Sequence, residues 1–216
     1  MTPSLPPHGG RPVLVRGLPL GEGRAVVIMV HGRGAAPDNI LELAPAFDRP
    51  DVTYLAPAAS GGTWYPYGFM APESQNEPGI SSGISVIHGL IANATAHGIP
   101  TERIVLLGFS QGACLTCTSA LRQPARYGAV IAYSGGLIGP PETAWPEAGE
   151  FHGTPVFFGC SDRDAHIPEE RVRASAAVFE RMGAAVTTRI YPGMGHLVND
   201  DEIAFGADLL ATLAES

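Results

Sequence analysis

The stretch Gly108-Phe109-Ser110-Gln111-Gly112 constrains this chain more than any other. It follows the apolar run Arg103-Ile104-Val105-Leu106-Leu107 and precedes a series of small and apolar residues ending at Leu121, so the local order reads as buried strand, tight turn, helix. A G-x-S-x-G nucleophile elbow needs that setting. Its serine occupies a strained turn with the hydroxyl above the sheet, and the flanking glycines let neighbouring backbone approach without a Cβ clash. Ser110 is therefore the candidate nucleophile. A plain strand-to-helix turn built from small residues fits the same five positions, so the decision rests on partners elsewhere in the chain.

Strand signals fall at 13–15, 25–30, 52–55, 103–107, 128–134, 155–159 and 185–191. Helical spacing falls between them, at 37–47, 81–97, after Ser110, at 168–182 and at 200–213. This alternation predicts an α/β fold with a mainly parallel central sheet and helices on both faces. Residues 1–24 read as a lead-in plus a weak first strand, with 1–10 a flexible segment, and 25–216 as one α/β domain. Residues 58–79 are irregular but rich in aromatics, too apolar for a linker.

Composition narrows the partners. Lysine plus arginine number 13 against 21 aspartate plus glutamate, a formal charge of -8, which offers no general attraction for nucleic acid or anionic lipid. No apolar run approaches the ~20 residues of a membrane span. A small-molecule partner is expected, and the absence of a basic start followed by an apolar stretch predicts a cytoplasmic location. Three cysteines are too few for a disulfide framework. Cys114 and Cys117 form a C-x-x-C, but they follow Ser110 on a helix where small apolar groups are needed, which favours packing over redox chemistry.

A serine hydroxyl is a weak nucleophile at neutral pH; it needs an imidazole to take its proton and a carboxylate to hold that imidazole's tautomer. Asp164, after the strand at 155–159, and His196, after the strand at 185–191, can supply both, in the order serine, aspartate, histidine. Asp162 competes for the carboxylate role, and spacing alone does not separate the two. His166 is a rival base, two residues from Asp164. Oxyanion donors are expected from the backbone N–H groups of Gln111 and of Arg33, the latter in the glycine-rich turn His31-Gly32-Arg33-Gly34. No histidine spacing suggests a metal site, so neither metal nor cofactor is expected. Trp64, Tyr65 and Phe69 are candidates for the wall of an apolar substrate pocket, with core packing an equal alternative for each.

These motifs together resemble the phospholipase/carboxylesterase family of α/β-hydrolases, which includes acyl-protein thioesterase-like and dienelactone hydrolase-related esterases. The marks are His31-Gly32-Arg33-Gly34, Trp64, Gly108-Phe109-Ser110-Gln111-Gly112, Asp164-Ala165-His166-Ile167-Pro168 and Gly195-His196. The resemblance implies Asp164 as the carboxylate, the Arg33 and Gln111 amides as oxyanion donors, and a serine carboxylesterase acting on small-molecule esters of short to medium acyl chain. It leaves a thioesterase or lysophospholipase as the alternative, and a non-catalytic ligand-binding member of the fold as the reading from another class. It also implies a monomer or homodimer. Arg33 stands where the thioesterase branch commonly has an apolar residue, which places charge near the acyl pocket.

Overall fold

The runs Ala25–Val30, Ile104–Phe109 and Ala129–Tyr133 carry no charged side chain, and strands of that kind are stable only where both faces are covered. In the computed structural model, which describes residues 5–213, they are β2, β4 and β5 in the middle of a seven-stranded sheet. The other strands are β1 (Val13–Gly17), β3 (Val52–Pro57), β6 (Pro155–Ser161) and β7 (Ala185–Tyr191). Their order is β1-β3-β2-β4-β5-β6-β7; β1 is antiparallel to β3 and all other pairs are parallel. The α/β-hydrolase architecture expected from the sequence is the one observed.

Alternate residues of each central strand feed two cores. Ile28, Leu106, Val130 and Phe158 pack with α3 (Gly79–Ala96), α4 (Gln111–Arg122) and α5 (Glu169–Arg181). Val27, Val105, Ile131 and Phe157 pack on the other face with α1 (Pro37–Leu41) and α6 (Asp200–Thr212). A short helix, α2 (Glu73–Asn76), lies within the irregular segment.

The chain runs from β2 outward to β3 and then returns to β4 on the far side of β2, so the direction of winding reverses between β2 and β4. The connections that leave their carboxyl ends go to opposite faces of the sheet, to α1 in one core and to α4 in the other, which leaves a crevice between them of the kind where ligands bind in open parallel sheets. Val30 pairs with Gly108, which sets the turn after β2 level with the turn after β4.

Two expectations change. The helix predicted over 37–47 ends at Leu41 and resumes as a tight turn at Ala44–Phe47. Pro45 has no N–H to give to the Leu41 carbonyl, which instead accepts from Arg16 Nη1 at 3.0 Å. The segment predicted to be a flexible lead-in is pinned over its described part, 5–10. His8 is 2% exposed; its backbone N–H donates to Ser82 Oγ, its Nε2 lies 2.8 Å from the Trp64 carbonyl, and its Nδ1 accepts from Ser60 N–H at 3.0 Å. Residues 1–4 lie outside the described part.

Candidate active site

Ser110 links β4 to α4 with φ 55° and ψ -121°, a left-handed conformation that costs a non-glycine residue about 1–3 kcal/mol. Close packing holds it there. A Cβ on Gly108 would stand 2.5 Å from the Gly112 carbonyl, and one on Gly112 would stand 2.1 Å from the Val30 carbonyl oxygen. Only glycine at both positions lets α4 start this close to β2 and β4. The bond from Ser110 N–H to the Tyr133 carbonyl, 2.9 Å, ties the turn to β5.

The loops after β6 and β7 bring the partners. His196 Nε2 lies 2.8 Å from Ser110 Oγ, and His196 Nδ1 lies 2.7 Å from Asp164 Oδ2. The Asp164 side chain has no exposed surface, and its Oδ1 accepts from the N–H groups of His166 and Ile167 at 2.8 and 3.0 Å. Burial pushes its carboxyl pKa up, but the hydrogen bonds from His196 and from those two amides outweigh burial and hold it below the usual range. An ionised Asp164 accepts from Nδ1–H, which leaves Nε2 free to accept from the serine hydroxyl.

Asp162, the competing carboxylate, faces elsewhere: its Oδ1 accepts from Gly193 N–H at 2.7 Å, bracing the loop that carries His196. Ser161 Oγ does the same for Gly195 N–H at 3.0 Å. His166 is exposed and its ring sits 4.7 Å from that of His196, on the rim of the cleft. It is beside His196 rather than beside Ser110.

Ser110 opens into a cleft of about 350 Å³ lined by Arg33, Tyr65, Phe69, Gln111, Ile167 and His196, among others. Among the described residues the backbone N–H groups of Arg33 and Gln111 have no acceptor, as groups reserved for a ligand oxygen would. Tyr65 and Phe69 form part of the wall, but Trp64 stands behind it. The Trp64 ring is fully buried between His8 and His31, with centroids 5.1 and 5.2 Å away, and its Nε1 donates to the His31 carbonyl at 2.9 Å.

One contribution that the sequence did not reveal is the side chain of Gln111. Its Oε1 accepts from Trp64 N–H and its Nε2 donates to the Tyr65 carbonyl, both at 2.8 Å, so the residue after Ser110 also fastens the aromatic wall. Asn76, buried, holds the far end through Tyr67 N–H and the Gly68 carbonyl at 2.8 and 2.9 Å. A polar residue at a position that must be buried is the signal that marks both.

Cys114 and Cys117 are free and buried in α4; burial pushes the Cys114 thiol up to about 12 and raises Cys117 as well, opposite to what a redox cysteine needs. Among the described residues no group of three or more His, Cys, Asp or Glu side chains is placed to hold a metal, and no helix is long and apolar enough to cross a membrane.

The crystal structure of a phospholipase/carboxylesterase from Dyadobacter fermentans is 37% identical and superposes with a TM-score of 0.90, covering 96% of this chain and 99% of that one. Acyl-protein thioesterase 1 of Eremothecium gossypii is 34% identical over 146 residues, 63% of this chain and 60% of that protein. A probable carboxylesterase from Oryza sativa subsp. japonica is 30% identical over 132 residues, 60% of this chain and 48% of that protein. This chain thus spans between about half and three fifths of these two relatives. The profile of the phospholipase/carboxylesterase family matches residues 19–214, from the approach to β2 through the end of α6, and the chain belongs to that family.

Proposed function

We propose that the protein is a serine carboxylesterase that hydrolyses small-molecule carboxylic esters of short to medium acyl chain through an acyl-enzyme on Ser110. The observation that carries the reading is the unbroken line from Asp164 Oδ2 through His196 to Ser110 Oγ, at 2.7 and 2.8 Å, ending at the floor of the cleft. His196 Nε2 takes the hydroxyl proton as Ser110 Oγ attacks the ester carbonyl, and Asp164 stabilises the imidazolium that results. The carbonyl oxygen becomes an oxyanion and accepts from the Arg33 and Gln111 N–H groups, which no acceptor occupies among the described residues. Collapse of the tetrahedral intermediate breaks the bond to the alcohol oxygen, which leaves with the proton from His196. Water then repeats the sequence on the acyl-enzyme and frees the acid.

The thioesterase named among the relatives supports a second reading, since a thioester presents the same carbonyl to the same groups. The small cleft with Arg33 at its mouth favours short acyl groups over the long chains of a lysophospholipase. Labelling by a fluorophosphonate probe, with hydrolysis of p-nitrophenyl esters from acetate to decanoate, tests the proposal. Labelling and turnover are expected in the wild type and absent in Ser110→Ala. A wild type that neither labels nor hydrolyses would make the chain a non-catalytic ligand binder on this fold.

A further inference from the structure

Arg33, whose amide is proposed as an oxyanion donor, also carries a guanidinium to the mouth of the cleft. Nη1 donates to the Pro66 carbonyl at 2.9 Å and Nη2 to the Tyr67 carbonyl at 2.6 Å, so the side chain is held against the segment that continues the Tyr65 wall instead of ranging through solvent. Those bonds use two of its five donors, and carbonyls carry no formal charge to offset the cation. Among the described residues Arg33 has no carboxylate partner, and the cleft lining holds Arg33, His166 and His196 but no aspartate or glutamate. In a chain whose carboxylates outnumber lysine plus arginine 21 to 13, this is a cleft from which anionic side chains are missing and at which a guanidinium is fixed.

The two walls do different work. His196 must hand its proton to the departing alcohol, and His166 lies beside it, so the alcohol half of a substrate belongs on that side. Arg33, Tyr65 and Phe69 stand on the other chain segments that line the cleft, the side that this placement of the alcohol leaves to the acyl half. We propose that Arg33 recognises a carboxylate at the end of the acyl group, which makes half-esters of small dicarboxylic acids the preferred substrates of this site. The inference rests on the Ser110 esterase reading. A guanidinium held in place suits a carboxylate because its three remaining N–H donors and its charge need not first be ordered.

The test compares kcat/KM for monomethyl succinate with that for methyl 4-methylpentanoate, a neutral ester of nearly the same shape, by pH-stat titration. The wild type is expected to prefer the half-ester by about ten-fold or more. Arg33→Gln is expected to abolish the preference and Arg33→Lys to keep part of it, with unfolding midpoints confirming that both variants fold. Equal rates on the two esters in the wild type, or an unchanged preference in Arg33→Gln, would overturn the inference and leave the esterase reading intact. Failure to hydrolyse either ester, together with no Ser110 labelling, would overturn both.

Discussion

Gln111 and Trp64 meet through a bond from the Trp64 N–H to Gln111 Oε1 at 2.8 Å, while the same side-chain amide donates to the Tyr65 carbonyl. One residue therefore joins the turn that presents Ser110, the amide proposed for the oxyanion, and the wall of the cleft. Gln111→Glu keeps the acceptor for Trp64 but sets a carboxylate oxygen against the Tyr65 carbonyl at a site only 5% exposed. A loss of about 2–3 kcal/mol in urea unfolding is expected, with a fall in kcat/KM on every ester. Wild-type stability in the variant would mean that the clamp holds nothing.

Asp164→Asn separates the two carboxylates. The amide would present N–H to His196 Nδ1 and force the proton onto Nε2, where it cannot accept from Ser110. A drop in kcat of about 10³- to 10⁴-fold is expected, with KM little changed. Asp162→Asn keeps an oxygen for Gly193 N–H and should stay within a few-fold of the wild type. Comparable losses in the two variants would place the carboxylate role elsewhere.

Glu202 sits at the start of α6, fully buried, with Oε2 accepting from Asn199 N–H at 2.9 Å and Oε1 unpartnered against Gly159. Burial pushes its carboxyl up to about 7. A raised acid is most favourable to folding while protonated, so its contribution is full below the ordinary value of 4.5 and is lost as pH rises through about 7. Glu202→Gln removes that loss and keeps the cap. Its stability relative to the wild type should grow between pH 5 and pH 8, by about 1–3 kcal/mol at the upper end; a difference independent of pH would refute the assignment.

His8 and His31 titrate in the opposite sense. Each uses one ring nitrogen as an acceptor, from Ser60 and Ala59 N–H respectively, which only the neutral ring can do, and burial lowers both pKa values below 6.5. The unfolded chain therefore binds protons first as pH falls. The stability that these rings supply is full above 6.5 and is lost as pH drops through their folded-state values. Measured in Glu202→Gln, where the opposing carboxyl is silent, the urea midpoint should fall from pH 7.5 to pH 5.5, and adding His8→Gln should flatten the slope. No change in slope would show that His8 stays outside this titration.

All seven strands and the region of each longer helix were legible because their side chains follow the period of the backbone that carries them. The short pieces were not. Where α1 stops depends on a proline four residues past its last helical residue and on Arg16 reaching across from β1 to take the freed carbonyl, a contact far away in sequence. His8 offered no signal at all, because a histidine in a polar, proline-rich start becomes a core residue only when Trp64 and Ser60 close around it.

The site divides the same way. The amino-acid order alone determined that a serine would stand on a glycine-flanked turn after a buried strand, and that an aspartate and a histidine would follow later strand ends, because sheet formation gathers strand ends whatever the loops do. Spacing did not separate Asp162 from Asp164, a choice left to the family resemblance, and nothing placed Trp64 behind the wall and Tyr65 within it. Residues two apart, or adjacent, share composition and spacing, and only the direction in which each side chain leaves its loop tells them apart. Direction is decided by hydrogen bonds formed across the molecule: Gly193 to Asp162, His196 to Asp164, and Gln111 to the backbone of Trp64 and Tyr65.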